Sequence, residues 1–149
     1  MFLSKAKFTE VIKNSPLVSI DLVIENHNGQ ALLGERLNRP AKGNWFVPGG
    51  RILKNESMAD AFKRLTQEEL GQTFSIDTAQ LLGPFDHFYT DNVFDESFST
   101  HYVAIAYKLK INTPLTQLPQ KQHGQYKWFS VSELLASDAV HLHTKWYFN

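Results

Sequence analysis

Residues 50–72 read GRILKNESMADAFKRLTQEELGQ, and Gly49 makes a glycine pair with the first of them. From Gly50 the spacing runs Gly-x5-Glu56-x7-Arg64-Leu65-Thr66-x-Glu68-Glu69-x-Gly71-Gln72. A glycine pair lets the backbone turn sharply and come close to a ligand. Residues 57–70 then read as a helix, with Met58, Ala61, Phe62 and Leu65 as its apolar stripe and Gly71 as its C-terminal stop. On that helix, positions 65, 68 and 69 fall within about one turn of each other. Carboxylates so placed can bind a hard divalent cation through oxygen, with substrate phosphates completing the shell. Adjacent glutamates on a helix usually mean only a solvated acidic face, and it is the whole spaced pattern that favours a metal site. Two roles stay open: Glu68 is a second ligand or only the i,i+4 partner of Arg64, and Glu56 caps or orients the helix.

Outward from this stretch the chain reads as one mixed α/β unit spanning residues 1–149, without repeats or linkers. Ser4 caps a short helix through Asn14, with Phe8, Val11 and Ile12 on one face, and Pro16 ends it. Residues 17–25 are a strand with Val18, Ile20, Leu22 and Ile24 on one face. The turn Asn26-His27-Asn28-Gly29 joins it in a hairpin to a second strand over 31–35. A short strand over 45–47 is stopped by Pro48-Gly49-Gly50. Beyond the helix, strands are expected over 80–89, 98–111 and 126–129. The polar, acidic loop 90–97 lies between the first two and could act as a lid. Ser130-x-x-Glu133 is a capping box ahead of Leu134-Leu135, and residues 141–148 form a last helix. The fold class is therefore α/β (α+β), a mixed sheet sandwiched between helices.

Composition narrows the function. Lys+Arg and Asp+Glu both number 15, so there is no basic excess of the kind that nucleic-acid or membrane-surface binders show. There are no cysteines, which excludes disulfides, thiolate metal sites and cysteine nucleophiles. The beginning of the chain lacks a signal-peptide apolar region, and no window approaches the ~18 apolar residues of a membrane span. A soluble cytoplasmic protein is the expectation.

The pattern from Gly50 resembles the Nudix box, Gly-x5-Glu-x7-Arg-Glu-U-x-Glu-Glu-x-Gly-U, with U bulky and apolar. All spacings match, and Trp45-Phe46-Val47-Pro48-Gly49-Gly50 resembles the stretch that precedes the box. Two positions depart from it: Leu65 stands for glutamate and Gln72 for an apolar residue. Losing a carboxylate at 65 leaves fewer like charges to neutralise, so the site should hold fewer cations, most simply one.

Most of the chain resembles one Nudix subfamily, the GDP-mannose mannosyl hydrolases, in which Leu65 is part of the pattern. The likeness runs through Met1-Phe2-Leu3, Pro16-Leu17-Val18-Ser19, Asn38-Arg39-Pro40-Ala41, His87-Phe88-Tyr89, Thr100-His101-Tyr102-Val103 and Gln122-His123-x-x-Tyr126. This resemblance implies a set of roles. The Gly49 carbonyl, Glu69 and Gln122 are the ligands of one Mg²⁺ per subunit, with Mn²⁺ as a substitute. His123 is the general base. Arg51 and Tyr102 act on the diphosphate leaving side, and Asp21 and His87 lie near the sugar. Arg36, Phe2, Leu3 and Phe8 bind the nucleotide, and Arg64 belongs with the catalytic set. The substrate is a small nucleotide sugar, with no nucleic acid or membrane partner, and the enzyme is a homodimer.

The chemistry is coherent in its own right. A nucleotide sugar cleaved at the anomeric carbon expels a nucleoside diphosphate, whose charge a cation and arginines stabilise. Histidine, which titrates near neutral pH, suits the removal of a proton from water, and a single displacement inverts the carbon. Two other readings compete. One is a pyrophosphohydrolase attacking phosphorus through metal on Glu68 and Glu69. The other is a non-catalytic nucleotide-sugar-binding module. Outside the resemblance, His123 reads as a surface-loop residue, and His141 and His143 also read as surface.

Overall fold

The computed structural model describes residues 3–115, 118 and 123–149, and of residue 123 only the backbone. Phe2 and Gln122, expected in the site, lie outside the described residues. In chain order the elements are α1 (Lys5–Asn14), β1 (Leu17–Glu25), β2 (Ala31–Arg36), β3 (Trp45–Phe46) and β4 (Gly49–Arg51). There follow α2 (Met58–Leu70), a 3₁₀ turn (Ile76–Thr78), β5 (Gln80–Tyr89), β6 (Thr100–Lys110) and β7 (His123–Phe129). The chain closes with α3 (Val131–Ala136), α4 (Leu142–Lys145) and a second 3₁₀ turn (Trp146–Phe148).

The seven strands form one mixed sheet, the expected fold class. Its path is β3-β2-β1-β6-β5, with β4 on β1 and β7 on β2. β1 pairs in parallel with β6 from Leu17↔Tyr102 to Glu25↔Lys110. The expected hairpin survives only at its root, Glu25↔Ala31. Away from that root, β1 gives its other edge to β4, through Ser19↔Arg51, Ile20↔Gly50 and Asp21↔Gly49. β2 pairs instead with β3 and β7.

The glycine pair is thus a strand and not only a turn. A Cβ at Gly49 would stand 2.4 Å from the Ile20 carbonyl oxygen, and one at Gly50 would stand 2.5 Å from Leu65 Cδ2. Only glycine allows both approaches, which overrides its poor strand propensity.

Helices cover both faces. Ile20, Leu22 and Ile24 of β1 pack with Ala61, Phe62, Leu65 and Leu70 of α2. On the opposite face, Val23, Leu33, Val47 and Phe129 pack with Leu134 and Val140. Full burial of a side chain the size of Phe62 contributes about 1.5–3 kcal/mol. Ser57 caps α2 by accepting from the Asp60 N–H at 3.1 Å, and Gly71 ends it with φ 74°, in the left-handed region. Met58, expected in the apolar stripe, is exposed, as are its neighbours Ala59 and Asp60, and burial on α2 begins at Ala61.

The 90–97 loop is tied down. Asn92 is fully buried, accepting from the Phe94 and Asp95 N–H groups and donating to the Phe98 carbonyl. Phe94 packs edge-on against Phe8 of α1. Among the described residues, no helix is long and apolar enough to cross a membrane.

Candidate active site

One cleft gathers residues from six strands and one helix. Asp21 comes from β1, Arg36 from β2, Gly49 and Arg51 from β4, and Glu69 from α2. His87 comes from β5 and Tyr102 from β6. These seven were all expected in the site, although they are spread along most of the chain. A second lobe shares Arg36, Gly49, Gly50, Arg51 and Tyr102 with the first and adds Phe8, Arg39 and Pro40. There the Arg51 guanidinium lies 4.7 Å from the centre of the Phe8 ring. Leu3 is half-buried and is not among the residues lining either lobe.

The two lobes differ in charge. The first holds Asp21 and Glu69. Glu69 is 6% exposed, and its carboxyl is pushed up to about 8, first by burial and then by the charge of Glu68, with Arg36 opposing. Burial also raises Asp21, to about 6, against a hydrogen bond from Tyr147 and the charge of Arg36. The second lobe is cationic and aromatic, with Arg36, Arg39 and Arg51 beside Phe8.

Arg64 does not line the cleft. Its guanidinium donates to both Glu56 oxygens at 2.8 and 2.9 Å, to Glu68 at 3.1 Å and to the Arg51 carbonyl at 2.8 Å. Glu56 also accepts from the Leu53 N–H. Arg64 and Glu56 therefore clamp the loop after β4 to α2, which positions Arg51. Glu68 is paired with Arg64 and is not among the residues lining the cleft. Leu65 is 2% exposed and packs in the core against the backbone of Gly50.

The start of β7 is irregular. Gly34 pairs with Tyr126, but Arg36 pairs with His123, so β7 carries one extra residue there. This register sets the backbone of residue 123 beside cleft-lining Arg36. Its side chain lies outside what the structure describes. Tyr126 is pushed up to about 12 by burial and by the charge of Glu69, so the start of β7 borders that carboxyl.

The sequence reading missed the wall formed by the chain's last residues. His143 is buried and His141 half-buried, where a surface position was expected. His143 stacks on His87, with ring centres 4.3 Å apart and planes 11° from parallel. His141 stacks on Phe46 at 4.6 Å. Burial lowers His87 to about 4 and His143 to about 3, with neighbouring histidines adding to the shift. The Tyr147 hydroxyl donates to Asp21 Oδ2 and lies 3.2 Å from His87 Nε2. The signal was present in the sequence: residues 141–148 combine two histidines with Trp146, Tyr147 and Phe148, a composition that suits burial more than solvent.

Among the described residues, no three His, Asp or Glu side chains stand together as a metal cluster. A cation held by the described residues of this cleft would draw on backbone oxygens as well as carboxylates. A buried carboxyl held up near 8, beside the backbone of β4, is nonetheless a donor that a divalent cation would suit. Carbonyl, carboxylate and amide oxygens are hard donors of the kind Mg²⁺ prefers.

A glycine strand and an acidic helix thus meet at an arginine-lined cleft in a sheet covered by helices. The chain belongs to the Nudix hydrolase family: the NUDIX domain model matches residues 15–149. It is 44% identical over 119 residues to the low-salt glycan biosynthesis protein Agl8 of Haloferax volcanii, covering 80% of this chain and 74% of the relative. Its fold is like that of a MutT NUDIX hydrolase from Burkholderia pseudomallei, with TM-score 0.73, 25% identity, and 91% of this chain and 97% of the other covered. The MutT protein of Methanosarcina mazei gives TM-score 0.72 at 23% identity, over 91% of this chain and 92% of the other, a likeness of fold. Nudix hydrolases generally use divalent cations such as Mg²⁺.

Proposed function

We propose that the protein hydrolyses a GDP-hexose, GDP-mannose or GDP-glucose, at the anomeric carbon, releasing GDP and the free sugar with inverted configuration. The two-lobed cleft carries this reading. Its cationic, aromatic lobe suits a nucleoside diphosphate, and its lobe of Asp21, Glu69 and His87 suits a polyhydroxylated ring. The burial of Leu65 supports it further, because the box position that would add a carboxylate belongs to the core. The name of the Haloferax relative speaks of glycan biosynthesis, and a glycan-related role fits an activated sugar.

In this reading Arg36, Arg51 and Tyr102 bind the diphosphate and stabilise the charge that grows on it as the bond to carbon breaks. Phe8 carries the Arg51 guanidinium on its face and so orients it. His123 takes a proton from water as the water oxygen bonds to the anomeric carbon. The leaving diphosphate departs as an anion and needs no proton donor. Mg²⁺ on the Gly49 carbonyl, Glu69 and Gln122 would supply further positive charge to the leaving group.

The test is hydrolysis of GDP-mannose with Mg²⁺ in ¹⁸O-labelled water. The expected products are GDP without label and mannose carrying it. GMP with mannose 1-phosphate would establish attack at phosphorus instead, and binding without turnover would establish a non-catalytic module.

A further inference from the structure

The tail of the chain is fastened into the cleft wall. The Trp45 N–H donates to the Ala139 carbonyl at 2.8 Å, the His141 N–H to the Trp45 carbonyl at 3.0 Å, and the Val47 N–H to Thr144 Oγ1 at 3.1 Å. These bonds fix the segment that carries His143 and Tyr147. Phe85 packs edge-on against the Tyr147 ring at 4.9 Å, and His143 fixes the plane of the His87 ring by stacking.

Tyr147 then joins two groups through one hydroxyl, and counting protons settles their arrangement. The hydroxyl has a single hydrogen, which it donates to the Asp21 carboxylate. For the Tyr147 oxygen to bond His87 Nε2 as well, that nitrogen must be the donor. A neutral His87 is then protonated on Nε2 and keeps a lone pair on Nδ1. Asp21 keeps Oδ1 as an acceptor. His87 Nδ1 lies 4.0 Å from Asp21 Oδ2, so the two groups offer neighbouring acceptors and no donor between them.

We propose that Tyr147 is a positioning residue that sets this proton order, so that Asp21 and His87 together select sugars offering two hydroxyl donors. The sugar part of this inference rests on the nucleotide-sugar reading; the proton order does not. A lobe of paired acceptors holds a hexose with both hydroxyls free and rejects one with either replaced by hydrogen, which leaves an acceptor buried and unpaired.

The variant Tyr147→Phe keeps the ring and its packing and removes only the bridge. Two measurements are made on the wild type and the variant, both of which should melt cooperatively. The first is ¹⁵N NMR of the histidine side chains. His87 should be the Nε2–H tautomer in the wild type and should shift toward a tautomer mixture in the variant. The second is kcat/KM for GDP-mannose and for analogues lacking one sugar hydroxyl, with GDP affinity as control.

In the wild type, removing a hydroxyl that faces Asp21 or His87 should cost about tenfold or more. In Tyr147→Phe that penalty should fall to about two- to threefold, while GDP binds equally well. A purely structural role for Tyr147 would lower all substrates alike and leave the penalty unchanged. An Nδ1–H His87 in the wild type, or an unchanged tautomer in the variant, overturns the proton order. An unchanged hydroxyl penalty overturns the selection role. An Nε2–H His87 in the wild type that shifts in the variant, with a wild type that never releases mannose, overturns the nucleotide-sugar reading and the selection role with it, and supports the proton order.

Discussion

Glu69→Gln is expected to lower Mg²⁺-dependent turnover by about a hundred- to a thousandfold, the scale at which one charge-stabilising group acts. The same variant should be more stable than the wild type when both are free of metal at pH 8. The buried carboxyl sits at about 8 in the fold against an ordinary value of 4.5. The folded state therefore holds a proton that the unfolded chain gives up, and stability contributed by this group is lost as pH rises from about 4.5 to about 8. Asp21 acts in the same direction between its ordinary 3.8 and about 6.

His87 and His143 act in the opposite sense. Their folded values of about 4 and about 3 lie below 6.5, so they cost stability only as pH falls below 6.5. Above that point Glu69 alone of these four still titrates. Thermal melts in EDTA across pH 6.5–8 should show Tm falling with pH in the wild type and flat in Glu69→Gln. Added Mg²⁺ should raise the wild-type Tm, more strongly toward pH 8, because the ligand must lose its proton to bind. A variant that melts with the same slope, or answers Mg²⁺ as the wild type does, would remove Glu69 from the site.

Leu65→Glu carries the second large effect. It would restore the general box and place a carboxylate at a position that is 2% exposed and packed among Ile20, Phe62 and the backbone of Gly50. An unpaired charge in such a place costs about 3–5 kcal/mol. For a chain of this length that corresponds to a Tm lower by about 10 °C. Leu65→Met, which conserves volume, should cost less than about 1.5 kcal/mol. If Leu65→Glu instead melts like the wild type and calorimetry shows an additional bound Mg²⁺, position 65 reaches the cleft and the single-cation expectation falls.

The parts of the fold visible in the sequence are those governed by local rules. Ser4 and Ser57 cap their helices, Gly71 stops α2, and the alternation of Ile20, Leu22 and Ile24 marks the face of β1 that meets α2. The parts that stayed hidden are long-range. The pairing of Gly49–Arg51 on β1 depends on how closely the Ile20 carbonyl approaches, which no propensity records. β7 begins at His123 and not at 126, because Arg36 offers it a partner across a bulge.

The site divides in the same way. Asp21, Arg36, Gly49, Arg51, Glu69, His87 and Tyr102 were reached through a resemblance, and the cleft brings them together. Arg64, expected among the catalytic groups, lies outside the cleft lining and holds Glu56, Glu68 and the Arg51 carbonyl. Tyr147 and His143 escaped because their importance comes from contact with Asp21 and His87, far away in sequence.

The parallel ladder between β1 and β6 also bears on how the protein folds. It joins the first strand of the chain to one beyond its middle, from Leu17↔Tyr102 onward, and Asp21 and Tyr102 meet only once it has formed. Such distant pairing makes for slow folding, since the loop between must close before the contacts reward it. A collapsed intermediate could carry α1, α2 and their caps intact and still have no cleft. Catalytic competence should therefore return in refolding experiments with the slowest structural phase, later than helical circular dichroism.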